Sequence, residues 1–208
     1  MTAAVSLSPR GGNASQVDPL SADHRRQLAA AREQSRVIRK AARVANFNGW
    51  TTAVIAALSL PFSLSSPVGL ALTAGLAFVA FNEFRGRKRI LSFDPTGATL
   101  LGWNQLGLLA MITAYCLWMM VTSLDEASAV ATEVRAYADL DAALGSTGGF
   151  SALIKVVAIS FYGVVIFLSV LFQGATAWYY FSRRRRIADF VAQTPEWIRE
   201  LQRGGSLL

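Results

Sequence analysis

Apolar and polar positions follow one another along this chain in long blocks, without the strict alternation that predicts strands. Four blocks are almost wholly apolar, and a helix needs about 20 such residues, at a rise of about 1.5 Å each, to cross a bilayer. These blocks cover residues 47–64, 68–84, 105–124 and 156–181. The pattern therefore predicts an all-α membrane protein with four transmembrane helices.

Residues that favour helix starts stand before some of these blocks. Ser66 is a candidate N-cap, with Pro67 suited to the first helical position, and Ser21 or Asp18 could cap an earlier helix. The uncharged sequence SLSSP joins the first two blocks, which predicts a helical hairpin. A re-entrant pair, entering and leaving on one side of the membrane, is the alternative.

Lysine and arginine are unevenly distributed among the polar segments, and this distribution predicts an orientation. The net charge is +5 over residues 1–46, +2 over residues 83–95 between the second and third spans, and +3 after residue 181. By contrast, residues 125–150 carry a net charge of −4. Because basic segments stay on the cytoplasmic side, we expect both termini in the cytoplasm and an acidic loop on the outside.

Composition agrees with a membrane protein and changes the interpretation of the charge. Only 16% of residues are charged, against roughly 25% in soluble domains. The net charge of +7 is explained by the orientation, so no nucleic-acid partner is expected. The first apolar block begins too far from Met1 for a signal peptide. The frequent use of arginine and alanine favours the bacterial inner membrane.

The segments outside the predicted bundle at 47–181 are basic. We expect a disordered tail at 1–20, a basic helix at 21–46, and a basic tail at 182–208 with a short helix at 195–203 capped by Thr194. The leading interpretation of the helix at 21–46 is a solvated stem. The alternatives are that it lies on anionic headgroups, continues straight into the first span, or pairs with a partner helix. The basic side chains predicted to contact anionic lipid headgroups are Arg183, Arg184, Arg185, Arg186, Arg36, Arg39, Lys40 and Arg43.

Catalytic chemistry finds little support in the sequence. An ionisable residue in the middle of a span would mark function, and none of the four predicted spans has one at its centre. Cys116 and His24 are the single cysteine and histidine, too few for a four-ligand zinc site. We therefore expect no enzymatic activity, no metal and no cofactor.

Polar side chains do recur at one predicted depth, near the cytoplasmic ends of all four spans. This polar layer consists of Asn46, Asn48, Asn82, Glu83, Asn104, Gln105, Gln173 and Thr176. One interpretation is that they are interfacial residues and interhelical hydrogen bonds. The other is a cytoplasm-facing polar vestibule for a solute or a headgroup, which four spans could enclose only as an oligomer.

The sequence thus predicts a polytopic integral membrane protein without a catalytic site. The leading hypothesis is a membrane adaptor or a subunit of a larger assembly, with a second copy or another membrane protein as its partner. The alternative is a small oligomeric transporter or channel built around the polar layer.

Overall fold

The computed structural model describes residues 21–136 and 147–204, and this part of the chain is helical with no strand. The predicted disordered tail at 1–20 and the middle of the predicted acidic loop lie outside the described residues. The helices are α1 (Ala22–Ser63), α2 (Pro67–Leu91), α3 (Pro95–Ala136), α4 (Thr147–Gln193) and α5 (Glu196–Gly204).

Three of the described helices are long and apolar enough to cross a membrane, as judged by length and composition. The candidate spans are Pro67–Leu91, Pro95–Glu126 and Ala152–Gln193. This finding confirms that the chain is compatible with a multi-pass integral membrane protein. The apolar half of α1, which corresponds to the first predicted span, is not among the three, since residues such as Asn48 and Thr51 interrupt its apolar sequence.

The helices are longer than the apolar blocks from which they were predicted. α1 runs without a break from the basic segment through the first apolar block. α3 continues to Ala136 and α4 already begins at Thr147, so the described parts of the predicted acidic segment at 125–150 are helical. Intrahelical hydrogen bonds form equally well on either side of a bilayer surface, so a helix need not end where hydrophobicity does.

Two predicted N-caps are confirmed, and one prediction was wrong. The hydroxyl of Ser21 accepts a hydrogen bond from the amide of His24 at 3.2 Å, and Ser66 caps α2 in the same way. α5, however, begins at Glu196 because the carbonyl of Pro195 accepts the first amides of that helix. Thr194, the predicted cap, instead donates its amide to α4.

The turn between α2 and α3 combines a strained residue with a strong cap. Phe93 has a φ of 60°, a left-handed conformation that costs about 1–2 kcal/mol in a residue with a Cβ. Its ring is buried against Phe190 of α4, at 4.9 Å between centroids. Asp94 then caps α3 by accepting the amide of Thr96 at 2.9 Å. Burial of the Phe93 ring and the cap offset the backbone strain.

The hydrophobic core lies at the basic end of the molecule. We call this end the head, comprising residues 21–46, 90–101 and 180–204. Its buried cluster consists of Ala31, Ile38, Ala41, Ala42, Ala45, Ile90, Phe93, Ala98, Leu101, Tyr180, Ile187, Phe190 and Ile198. In the most apolar window of each candidate span, by contrast, the buried share is 28% in α2, 11% in α3 and 0% in α4.

The long helices pack in chain order. α1 packs along α2, α2 along α3, and α3 along α4, whereas α1 and α4 contact each other at few positions. The bundle is therefore least closed between its first and last long helices.

Candidate functional site

A buried carboxylate lies where the spans meet the head. Glu83 of α2 is fully buried, and its Oε1 accepts hydrogen bonds from Asn104 Nδ2 at 2.9 Å and Gln105 Nε2 at 2.7 Å. These two donors are neighbours in sequence on α3, yet both reach one oxygen of α2. Asn104 Nδ2 also donates to the carbonyl of Val79 at 3.0 Å. Glu83 thus fastens α2 to α3.

The second carboxylate oxygen connects the outer helices. The hydroxyl of Tyr180, on α4, donates to Glu83 Oε2 at 3.4 Å. Asn48 Nδ2, on α1, donates in turn to the Tyr180 hydroxyl at 3.4 Å. Both distances are long, so these bonds are weaker than the two amide bonds. We call Asn48, Glu83, Asn104, Gln105 and Tyr180 the Glu83 cluster, and it includes residues of all four long helices.

The electrostatic environment of Glu83 is unusual for a carboxyl group. Within residues 21–136 and 147–204, no basic side chain forms an ion pair with it, so neutral hydrogen-bond donors surround it. Burying an unpaired charge costs several kcal/mol, and hydrogen bonds offset part of that cost. An ionisable residue in such a place within a candidate span is a functional-site hypothesis by default.

Close helix packing holds the cluster in place. A Cβ added at Gly49 of α1 would lie 3.2 Å from Glu83 Cβ and 3.1 Å from the Phe84 ring. On the head side, Leu101 packs so tightly on Gly86 that a Cβ there would overlap the leucine. Leu101 is fully buried and belongs to the core cluster of the head, as does Tyr180, so the Glu83 cluster adjoins the head core.

The structure brings four residues of the predicted polar layer together: Asn48, Glu83, Asn104 and Gln105. The other four have different surroundings. Gln173 lines a cavity beside the cluster, and Asn82 lines a separate recess between α2 and α3. Thr176 bonds to the carbonyl of Phe172 on its own helix at 2.7 Å, and Asn46 is half-buried without a side-chain hydrogen bond among the described residues.

Tyr180 belongs to the cluster although it was not among the predicted site residues. It lies seven positions after Gln173, which is two helical turns, so both residues occupy one face of α4. That spacing is a signal in the sequence, but it does not tell which of the two would reach Glu83.

A cavity of about 480 Å³, here the central cavity, extends from the cluster into the bundle. Asn48, Gln105 and Gln173 form its polar end, and most of the remaining wall is apolar. The wall also includes Cys116, which lies eleven residues beyond Gln105, or about 16 Å along α3. Its volume falls in the range of ligand pockets, about 300–1,000 Å³.

The predicted lipid-contacting arginines and lysine are all in or next to the head, in different settings. Arg183 stacks over the Tyr179 ring at 4.6 Å, and Arg36 pairs with Glu33 at 3.1 Å. The exposed remainder comprises Arg184, Arg185, Arg186, Lys40 and Arg43, with Arg39 half-buried. Among the described residues, no group of three or more histidine, cysteine, aspartate or glutamate side chains could hold a metal ion.

Comparison with known proteins adds no assignment to this geometry. No protein-family profile, no curated protein and no solved structure matches the chain.

Proposed function

We propose that this protein is a non-enzymatic, multi-pass membrane protein that acts as a subunit or adaptor of a larger membrane assembly. The observation that carries the proposal is the contrast between the buried core of the head and the unburied surface of α4. In the most apolar window of α4 no residue is buried inside the chain. Such a surface is free to pack against a partner helix.

The glycines of α4 give this surface a position where a helix could approach closely. Gly163 and Gly174 have open space where a Cβ would lie, and their spacing of eleven residues puts them on one face. Small residues let helix backbones come close in lipid, where packing rather than the hydrophobic effect drives association. We define this pair as the glycine face of α4.

We further propose four spans with both ends in the cytoplasm, counting the apolar half of α1 as the first. The packing of α1 along α2 supports this count, because a helix paired with a span along its length shares that span's depth. The concentration of arginine and lysine at the head supports the orientation.

The test is the state of the protein after extraction in a mild detergent, measured by native mass spectrometry and light scattering. We expect wild-type protein in a complex with a second copy or another membrane protein. Gly163→Leu with Gly174→Leu should release the monomer, and Val164→Leu, an exposed neighbour on another face, should not. A wild-type monomer without partner, or a complex indifferent to the glycine variants, would contradict the proposal.

A second candidate function is passage of a proton or small cation, and the central cavity favours it. The cavity ends at Gln105, whose amide is bonded to Glu83, so an ionisable group lies just behind its polar end. In proteoliposomes, Glu83→Gln should abolish such flux and Glu126→Gln, at an exposed position, should preserve it. Wild-type flux no higher than that of empty vesicles would exclude this candidate.

A further inference from the structure

A larger cavity lies in the head, between α1 and α5. Its volume is about 720 Å³, and we call it the head groove. Its lining comes from one α1 face and the last turns of α5, and includes Arg32, Glu33, Arg36, Arg39, Leu201 and Gln202. The proposed assembly function does not involve it.

Contacts on both sides fix α5 against the rest of the head. Trp197 packs edge-to-face on His24 of α1, with 5.4 Å between ring centroids, and Ile198 is buried in the core cluster. Arg203 donates to the carbonyl of Ser92 at 3.0 Å. The groove walls are therefore held at a defined separation.

Gln202 is the residue of the head groove that most needs a partner. It is only 6% exposed, and both its Nε2 and its Oε1 are buried without a hydrogen-bond partner among the described residues. A buried polar atom without a partner costs about as much as its full desolvation, so native structures rarely contain one without a reason. The two atoms are sealed from solvent in this structure, so the Gln202 side chain must turn toward the groove to bond a ligand there.

The charge of the groove indicates the kind of ligand. Arg32, Arg36 and Arg39 follow one another at spacings of four and three residues, so their guanidinium groups project from one face of α1. Glu33 is the acidic residue in the lining, and it pairs with Arg36 at 3.1 Å. The groove is thus net positive, and guanidinium groups match the geometry of phosphate oxygens.

We propose that the head groove binds a phosphate-bearing ligand. The three arginines contact its phosphate oxygens, Gln202 donates a hydrogen bond to it, and Leu201 packs on its apolar part. Such a phosphate has two sources, an anionic lipid headgroup or a soluble phosphate compound. The apolar half of α1 begins at Phe47. Arg36 lies eleven residues before it, which is about 16 Å along the helix.

The experiment uses the full chain in nanodiscs of phosphatidylcholine, titrated with inorganic pyrophosphate and followed by calorimetry. A second arm uses an equal mixture of phosphatidylcholine and phosphatidylglycerol, with retained lipid counted by native mass spectrometry. If pyrophosphate still binds to the protein in the nanodiscs that contain phosphatidylglycerol, the site is assigned to a soluble phosphate compound. If pyrophosphate binding is lost in those nanodiscs and the protein retains phosphatidylglycerol, the site is assigned to the lipid headgroup.

Matched variants separate a site from general positive charge. Arg32→Gln with Arg36→Gln should weaken binding at least about tenfold, since each removes a hydrogen bond to a charged group. Arg85→Gln with Lys88→Gln removes the same charge from exposed positions outside the groove and should leave the affinity unchanged. Equal losses in the two pairs would overturn the proposal.

Gln202→Leu distinguishes ligand binding from a structural role. Leucine has a similar volume and leaves no polar atom unpaired, so the melting temperature should stay the same or rise. Affinity for pyrophosphate, or retention of phosphatidylglycerol, should nevertheless fall about tenfold. Wild-type binding by this variant would refute the proposal, as would wild-type protein that binds neither probe.

Discussion

Replacing Glu83 in two different ways tests whether its hydrogen bonds or its charge hold the bundle together. In Glu83→Gln, the side-chain carbonyl can still accept from Asn104 and Gln105, and the amide can donate to Tyr180. In Glu83→Leu, a side chain of similar size leaves these donors without their acceptor. The glutamine variant should therefore retain the fold, and the leucine variant should be destabilised.

The size of the effect follows from the partners that remain. Gln105 Nε2 loses the acceptor at 2.7 Å, whereas Asn104 Nδ2 keeps the Val79 carbonyl at 3.0 Å. A buried donor left without a partner costs about 1–3 kcal/mol, and interhelical hydrogen bonds in membranes average about 0.6 kcal/mol. We expect Glu83→Leu to lose about 1–2 kcal/mol. Chains of this size lose about 2–4 °C of melting temperature per kcal/mol.

The assay is thermal unfolding of the purified variants in one detergent, with Glu126→Gln as the control at an exposed position of α3. We expect a melting temperature for Glu83→Gln equal to or above that of wild type, because the cost of burying a charge is removed. A glutamine variant as unstable as the leucine variant would refute the reasoning, since it would show that the charge itself is needed.

Two further predictions concern packing and topology. Gly49→Leu should cost about 1–3 kcal/mol in thermal unfolding, because its Cβ would lie 3.1 Å from the Phe84 ring, whereas Gly107→Leu on α3 enters open space and should cost far less. Equal losses would contradict this packing. In a Cys116→Ser background, a cysteine at Glu126 should react with an impermeant maleimide outside the cell, and one at Ser92 should not. The reverse labelling would overturn the proposed orientation.

The helix N-termini show which helix boundaries were predicted from the sequence and which were missed. Ser21 and Ser66 cap their helices as predicted, because capping depends on residues within one turn of each other. The start of α3 was missed although Asp94 and Pro95 form a cap and first-turn pair that the sequence displays. The prediction followed hydrophobicity, which reports the surroundings of a helix rather than its length.

The sequence by itself determined the helical class, the candidate spans of α2, α3 and α4, and a common level for Asn48, Glu83, Asn104 and Gln105. Depth follows from position along a helix, which residue number and rise per residue supply. Which polar groups meet depends on how each helix is rotated about its axis, and only packing decides that. The close approach of Gly49 to α2 and of Leu101 to Gly86 fixes the rotations of α1, α2 and α3. Gln173 and Tyr180 share one face of α4, so the position of α4 along its own axis, where Phe181 packs on Gly102, is what places Tyr180 on Glu83.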